Sequence, residues 1–413
     1  MVEKSVANPK KLPILLSNAV IRVIFATETK IRTNMDTQKP YVIGVDLGGT
    51  NTVFGIVDAR GNIVAEDSIK TQAYKTADAF VEAGVVCLKP LIEQVGGIDN
   101  IAGMGIGAPN ANYYSGAIEI APNLCWAHDC VVPLAQMFSE KLRPSLSCGL
   151  SRPQQEHLLR SLPAERHLVS PLFGRYPRNG ESHPDGLPPH YEEGQERGAF
   201  PVRLTNDANA AAMGEMAYGA ARGMKNFIVL TLGTGVGSGI VINGQLVYGH
   251  DGFAGELGHV TMVRGKEGRP CGCGRTGCLE SYCSATGVAR TAREILANTD
   301  RPSLLRNKPA EEIESLDVSI AASKGDEVAN EIFQFTGKML GEACADFAAF
   351  SSPEAFIFFG GLCKAGDLIM KPIEESYNQH VMPIFRGKAK FLVSGLMNAN
   401  AAVLGASALG WGE

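Results

Sequence analysis

The run Tyr41-Val-Ile-Gly-Val-Asp-Leu-Gly-Gly-Thr-Asn51 decides how the rest of the chain is read. Tyr41–Leu47 is apolar apart from one carboxylate near its end, the pattern of a strand buried on both faces. Gly48 and Gly49 follow at once. Glycines at a strand end let the backbone approach a ligand and aim N–H groups at phosphate oxygens. Thr50 and Asn51 add polar side chains, and Asp46 offers the hard oxygen that a magnesium ion prefers. Two further turns of this kind occur. Leu232-Gly-Thr-Gly-Val-Gly-Ser-Gly239 follows a strand and supplies Thr234 and Gly235, and Gly360-Gly361 follows another. Neither single-loop nucleotide pattern, Gly-x-Gly-x-x-Gly opening a helix or Gly-x4-Gly-Lys-Ser/Thr, stands in the right context. Three turns this far apart point instead to a nucleotide held between two domains.

Working outward, residues 53–58 and 62–67 flank Ala59-Arg60-Gly61 as a hairpin. Residues 76–94 have helical periodicity, with Pro90 expected to kink them. Ile101–Gly107 is a second buried strand. Val202–Thr205 leads into an Ala/Met-rich helix over 208–223. Phe227–Leu232 and residues 239–242 read as strands around the second glycine turn. A long helix over 327–350 precedes the strand Ala355–Phe359, and 400–409 is a final helix. Hairpins alternating with helical crossovers imply an α/β architecture with mixed sheets.

Composition narrows the function. Hydrophobic residues are 45% and charged residues 20% of 413, enough for a large core and unlike a disordered chain. A net charge of −5 is too mild for a nucleic-acid scaffold or a polybasic membrane binder. No apolar stretch reaches the roughly 18–20 residues of a membrane span; residues 12–26 come nearest, but Asn18 and Arg22 interrupt them. Ten cysteines in so long a chain are no disulfide framework. Cys271, Cys273, Cys278 and Cys283 cluster, which points to metal binding in a reducing, cytoplasmic compartment. The other six read as buried small hydrophobes.

Asn206-Asp207-Ala-Asn209 ends a strand and opens a helix. A carboxylate there can take a proton from a substrate hydroxyl, or the pair can simply cap the helix. In Ala254-Gly-Glu-Leu-Gly-His259, Glu256 and His259 are three apart and share a face of a helical turn, as binding residues or as a surface ion pair. His259, Cys271, Cys273 and Cys278 then form a Cys3His set suited to tetrahedral zinc, with Gly272, Gly274 and Gly277 allowing a tight knuckle and Glu280 two residues on. A filled shell of four protein ligands makes such a zinc structural. Cys283 is left over as a buried thiol.

Two segments differ from their surroundings. Residues 1–34 are basic and unpatterned. Met35 opens the stretch before the first strand, so 1–34 read as an extension with no fold of its own. Residues 143–199 hold eight of the 22 prolines and four of the eight histidines, with seven arginines but no lysine or isoleucine. Such a break marks an unstructured insertion without an active role. The irregular spacing of His157, His167, His183 and His190 fits solvated loop histidines rather than a metal site.

Taken in order, Asp46-Leu-Gly-Gly-Thr, Asn206-Asp-Ala-Asn, Leu232-Gly-Thr-Gly-Val-Gly, Glu256-Leu-Gly-His, Cys271-Gly-Cys-Gly-x-x-Gly-Cys-Leu-Glu280 and Gly360-Gly resemble the ROK family (repressors, open reading frames and kinases), and within it the bacterial glucokinases. The resemblance covers residue 40 to the C-terminus except 143–199. It implies an actin/hexokinase/Hsp70 fold of two ribonuclease-H-like lobes: a small lobe over 35–142 with the helix of 396–413 packed back on it, and a large lobe over 200–395 carrying the zinc knuckle. It implies transfer of the ATP γ-phosphoryl group to the 6-hydroxyl of glucose, with Mg²⁺ and a structural Zn²⁺. Asp207 would be the base. Asn206, Glu256, His259 and Glu280 would bind sugar hydroxyls, with Asn110 and Asn123 as further contacts. His259 would give one ring nitrogen to zinc and face the sugar with the other. Asp46, Gly48, Gly49, Thr50, Asn51, Thr234, Gly235, Gly360 and Gly361 would line the nucleotide. The partners implied are small molecules and copies of the chain in a homodimer or homotetramer, not nucleic acid or membrane. Other ROK kinases, for fructose, mannose, allose or N-acetylmannosamine, share these carboxylates. A sugar-sensing ROK repressor would need a DNA-binding domain, for which the residues before the first strand are too few. An actin-like or chaperone ATPase would have no use for the knuckle.

Overall fold

The structure is a computed structural model that describes residues 39–142, 199–396 and 401–411. The expected extension over 1–34, and the insertion over 143–199 except Ala199, lie outside the described residues. Chain contacts divide at Pro40, and Tyr41 onward holds together as one unit. In chain order its elements begin with β1 (Tyr41–Leu47), β2 (Asn51–Asp58), β3 (Ile63–Lys70), α1 (Ala77–Gln94) and β4 (Ile101–Gly107). A small sheet of β5 (Ala111–Asn112), β6 (Ala117–Glu119) and β7 (Val131–Val132) precedes α2 (Leu134–Lys141). Then come β8 (Val202–Thr205), α3 (Asp207–Ala217), β9 (Phe227–Leu232), β10 (Val236–Ile242) and β11 (Gln245–Leu246). The remainder is α4 (Glu280–Cys283), α5 (Ala285–Ala297), α6 (Ser315–Ser323), α7 (Glu327–Ser351), β12 (Ala355–Phe359), α8 (Asp367–His380), β13 (Lys390–Val393) and α9 (Ala401–Gly410).

Two five-stranded sheets repeat one topology. The first runs β3-β2-β1-β4-β8 and the second β11-β10-β9-β12-β13. In each, two antiparallel hairpin steps are followed by two parallel crossovers. This duplicated order is the ribonuclease-H-like pair of the actin and hexokinase type. β8 pairs with β4, Gly107 opposite Thr205, so residues 200–205 belong to the first sheet and not, as expected, to the second lobe.

α3 and α9 lie between the two sheets, and small residues explain how they fit. A Cβ on Gly44 would sit 2.2 Å from Val403 O, and one on Gly105 1.9 Å from Ala406 O, so α9 rests directly on the backbone of β1 and β4. Gly405 of α9 meets Ala210 of α3 in the same way. On the other side of α3, a Cβ on Gly239 would lie 2.5 Å from Ala212 Cβ. Gly237 and Gly239 therefore serve helix packing inside β10, and the second glycine turn shrinks to Gly233–Gly235. α9 is apolar on every side because it is buried on every side, which is why the sequence pattern reveals it. The outer face of the first sheet packs Phe54 against α1 and α2, with Phe80 stacked on Trp126 at 4.8 Å. The outer face of the second packs Phe356 and Phe358 under α7 and α8. Thr76 caps α1 through Ala79 N–H at 3.3 Å, and Pro90 sits within α1 without ending it. α3 stops at Ala217, short of the expected 223. Among the described residues no helix is long and apolar enough to cross a membrane.

Candidate active site

The sheet register brings the two key carboxylates together. Asp46, near the end of β1, pairs with Gly107 of β4, and Gly107 pairs with Thr205 of β8. Two residues after Thr205, Asp207 opens α3. A Cβ on Gly107 would lie 3.1 Å from Ala210 Cβ and 3.8 Å from Asp207 Cα, so the first turn of α3 rests on β4 at this glycine, next to Asp46. Burial, and then the charge of Asp207, push the Asp46 carboxyl up to about 6. The Asp207 side chain reaches solvent but is crowded by protein, and that crowding raises its carboxyl above the usual range against the pull of the Ala208 N–H, which donates to Oδ1 at 2.8 Å. Two acids held this way suit proton transfer and cation binding rather than structural pairing.

Asn206 is the N-cap of α3, its Oδ1 accepting Asn209 N–H at 2.7 Å. Its oxygen serves the cap, leaving only the amide NH2 for a ligand. Asn209, to which the sequence pattern gives no separate role, is buried and its Oδ1 has no hydrogen-bond partner among the described residues. That oxygen lies 3.9 Å from where a Cβ on Gly255 would be, beside the Glu256 loop. Its presence in the Asn-Asp-Ala-Asn motif was the available signal.

The glycine turns fall at equivalent points of the two sheets. Gly48–Thr50 joins β1 to β2, and Gly48 N–H donates to Asn51 O at 3.0 Å. Asn51 Oδ1 accepts from Lys70 Nζ at 2.7 Å, so Asn51 braces the hairpin. Gly233–Gly235 joins β9 to β10. The third turn follows β12, which pairs in parallel with β9, Phe359 opposite Thr231, so the second and third turns lie side by side. Gly360 has φ 117°, and a Cβ there would lie 2.3 Å from Leu232 O, so only glycine fits.

The four side chains expected to bind zinc come together as a group that could hold a metal ion. Nδ1 of His259 and the sulfurs of Cys271, Cys273 and Cys278 all lie within 4.8 Å of one another. Cys273 Sγ and Cys278 Sγ are 3.7 Å apart, as are Cys271 Sγ and His259 Nδ1. A tetrahedron with zinc–sulfur bonds of about 2.3 Å has edges of roughly 3.8 Å, which the two 3.7 Å pairs match while the set as a whole spreads to 4.8 Å. His259 Nε2 faces away, 3.9 Å from Glu256 Oε2. Burial raises the Glu256 carboxyl, with the charges of Asp207 and Glu280 adding to it against His259, so these four groups share one neighbourhood. Gly274 and Gly277 have positive φ, and Arg275 donates to His259 O at 3.1 Å and Thr261 Oγ1 at 2.8 Å, closing the knuckle. Cys283 is fully buried.

Asn123 lies against Gly49, its Cβ 3.4 Å from where a Gly49 Cβ would be, and lines a cavity of about 860 Å³ with Gly49, Thr50, Gln72, His128 and Asp129. Asn110 is exposed with φ 51°, and its Nδ2 donates to Ile120 O at 2.7 Å, so its amide braces a loop. Cys125 and Cys130, expected to be buried, are exposed, and Cys148 lies outside the described residues.

The chain belongs to the ROK family: the family's model matches residues 191–412. Its relatives include sugar kinases and also transcriptional repressors, among them a xylose repressor of Bacillus spizizenii that is 29% identical over 52% of this chain and 52% of that protein. It is 40% identical over 218 residues to a glucokinase of Halalkalibacterium halodurans, spanning 52% of this chain and 64% of that protein. It is 30% identical over 375 residues to a glucokinase of Thermotoga maritima, covering 89% of this chain and 96% of that one. Its structure matches a ROK glucokinase of Streptomyces griseus, solved with glucose and AMPPNP, with TM-score 0.62 and 30% identity over 89% of this chain and 98% of the other.

Proposed function

We propose that this chain is a glucokinase, moving the γ-phosphoryl group of ATP to the 6-hydroxyl of glucose with Asp207 as general base. The observation that carries this reading is the closeness of Asp46 and Asp207, brought together by the register of β1, β4 and β8 at the end of the sheet where the first glycine turn lies. Phosphoryl transfer depends on alignment and charge neutralisation more than on covalent help from the protein. The glucose 6-hydroxyl donates its hydrogen bond to Asp207, which accepts the proton as the oxygen–phosphorus bond forms and the bond to the β-phosphate oxygen breaks, leaving ADP. The N–H groups of Gly49, Thr50, Thr234 and Gly235 hold the phosphate oxygens, those of Gly48 and Gly233 being used within the turns. A magnesium ion at Asp46, whose raised carboxyl gains most from a cation, would neutralise charge on those oxygens. Glu256, His259 Nε2, Glu280, Asn123 and the Asn206 amide NH2 bind the remaining sugar hydroxyls, with Asn110 at the margin. Zinc on His259 Nδ1, Cys271, Cys273 and Cys278 would fix the imidazole for its sugar contact and take no part in the chemistry.

A hexose panel tests the substrate. With MgATP, glucose should give the highest kcat/KM, about tenfold or more above fructose, mannose, allose and N-acetylmannosamine. Equal or faster turnover of another hexose would overturn the assignment.

A further inference from the structure

Glu280 stands in two sites at once. Its Oε2 accepts Val236 N–H at 3.0 Å, where the second glycine turn enters β10. Gly235 is shaped around that oxygen, since a Cβ there would lie 2.4 Å from it. Its Oε1 is 3.5 Å from Cys271 Sγ in the knuckle. The segment after Glu280 holds the same turn: Ala285 N–H donates to Gly233 O at 2.8 Å, and Thr286 Oγ1 to Thr234 O at 3.1 Å. Meanwhile the charge of Glu280 reaches Glu256 in the proposed sugar pocket. The turn that faces phosphate is therefore bonded to a carboxylate of the sugar site.

Resting on the glucokinase reading above, we infer that Glu280 couples the two substrates, a sugar hydroxyl on its carboxylate orienting the oxygen that holds Val236 N–H and so ordering the turn that receives ATP. Ordering the turn beforehand removes part of the cost that the nucleotide otherwise meets on binding, so glucose strengthens nucleotide binding. Linkage requires that the nucleotide strengthen glucose binding by the same factor. Glu280→Gln separates the roles. A glutamine keeps one acceptor oxygen, replaces the other by an NH2 donor and removes the charge, so the turn and the sugar hydroxyl no longer share a carboxylate with an oxygen for each. Thr286→Val makes the contrast, because it removes a tie to the turn and leaves the carboxylate in place.

Calorimetric titration of a non-hydrolysable ATP analogue with Mg²⁺, with and without saturating glucose, tests this without turnover. In the unsubstituted protein glucose should tighten analogue binding about tenfold, within the usual range for coupled sites. In Glu280→Gln each ligand should still bind alone, but the factor should fall to about one. In Thr286→Val binding should weaken equally with and without glucose, leaving the factor unchanged. Thermal melts and zinc content, which Glu280→Gln should leave near the unsubstituted values, establish that the variant is folded. Coupling that survives Glu280→Gln, is lost equally in Thr286→Val, or is absent from an unsubstituted protein that binds both ligands would overturn the inference. Failure of glucose to bind at all would instead overturn the glucokinase reading and the coupling with it.

Discussion

Replacing Asp46 by Asn should stabilise the fold while crippling the enzyme. The Asp46 carboxyl is pushed from an ordinary 3.8 up to about 6 by burial and the Asp207 charge. Below the ordinary value, folded and unfolded chains are both protonated and the group contributes nothing. Between that value and about 6, the folded chain keeps a proton that the unfolded chain has lost, so stability falls as pH rises. Above about 6 the full cost is present. A shift of roughly two pKa units, at about 1.36 kcal/mol each, amounts to about 3 kcal/mol near neutral and alkaline pH. The isosteric amide removes the charge and with it the cost. Urea unfolding should therefore show Asp46→Asn more stable than the unsubstituted protein by about 2–3 kcal/mol near pH 8, by about half that near pH 5, and by little near pH 3. Phosphoryl transfer by the same variant should fall at least about a hundredfold, the trade-off expected where a site keeps a charge its surroundings disfavour. A stability gap independent of pH, or an Asn variant less stable near pH 8, would refute the argument.

Other outcomes follow from the same geometry. Cys273→Ser should lose zinc by metal analysis and raise the glucose KM, because His259 loses its anchor; full zinc occupancy in that variant contradicts the ligand set. Gly105→Ala places a methyl 1.9 Å from Ala406 O, so chemical denaturation should show a loss of about 3 kcal/mol or more, with protease cleavage near α9; an unchanged midpoint contradicts the packing. Because burial raises the Asp207 carboxyl, kcat/KM should fall as pH drops through a value above the usual aspartate range; an acid limb at or below about 4 contradicts its role as base.

The sequence disclosed what depends on neighbours along the chain. β1, β4, β9 and β12 are continuous apolar runs because each is covered on both faces, and α9 is legible for the same reason. The knuckle is legible because its ligands lie within one short stretch. What escaped depends on distant partners. β8 joins the first sheet through parallel pairing with β4, to which no local signal points. Gly237 and Gly239 look like phosphate-turn glycines but admit α3, a role set by Ala208 and Ala212 some thirty residues earlier. The bond from Val236 N–H to Glu280 joins residues 44 apart. Asn206 carries a cap and a ligand-binding pattern in the same letters, and only the geometry shows that its oxygen serves the cap. β13 and the strands of the small sheet are too short for periodicity to register.

The central claim is that Asp207 receives the proton of a sugar hydroxyl. Steady-state assay of the purified protein and of Asp207→Asn with ATP, Mg²⁺ and glucose, alongside calorimetric glucose binding, tests it most directly. Glucose 6-phosphate formation by the unsubstituted protein, with the variant binding glucose normally but losing about three or more orders of magnitude in kcat, is the predicted result. Near-normal phosphorylation by the variant, or no sugar phosphate from the unsubstituted protein, would contradict it.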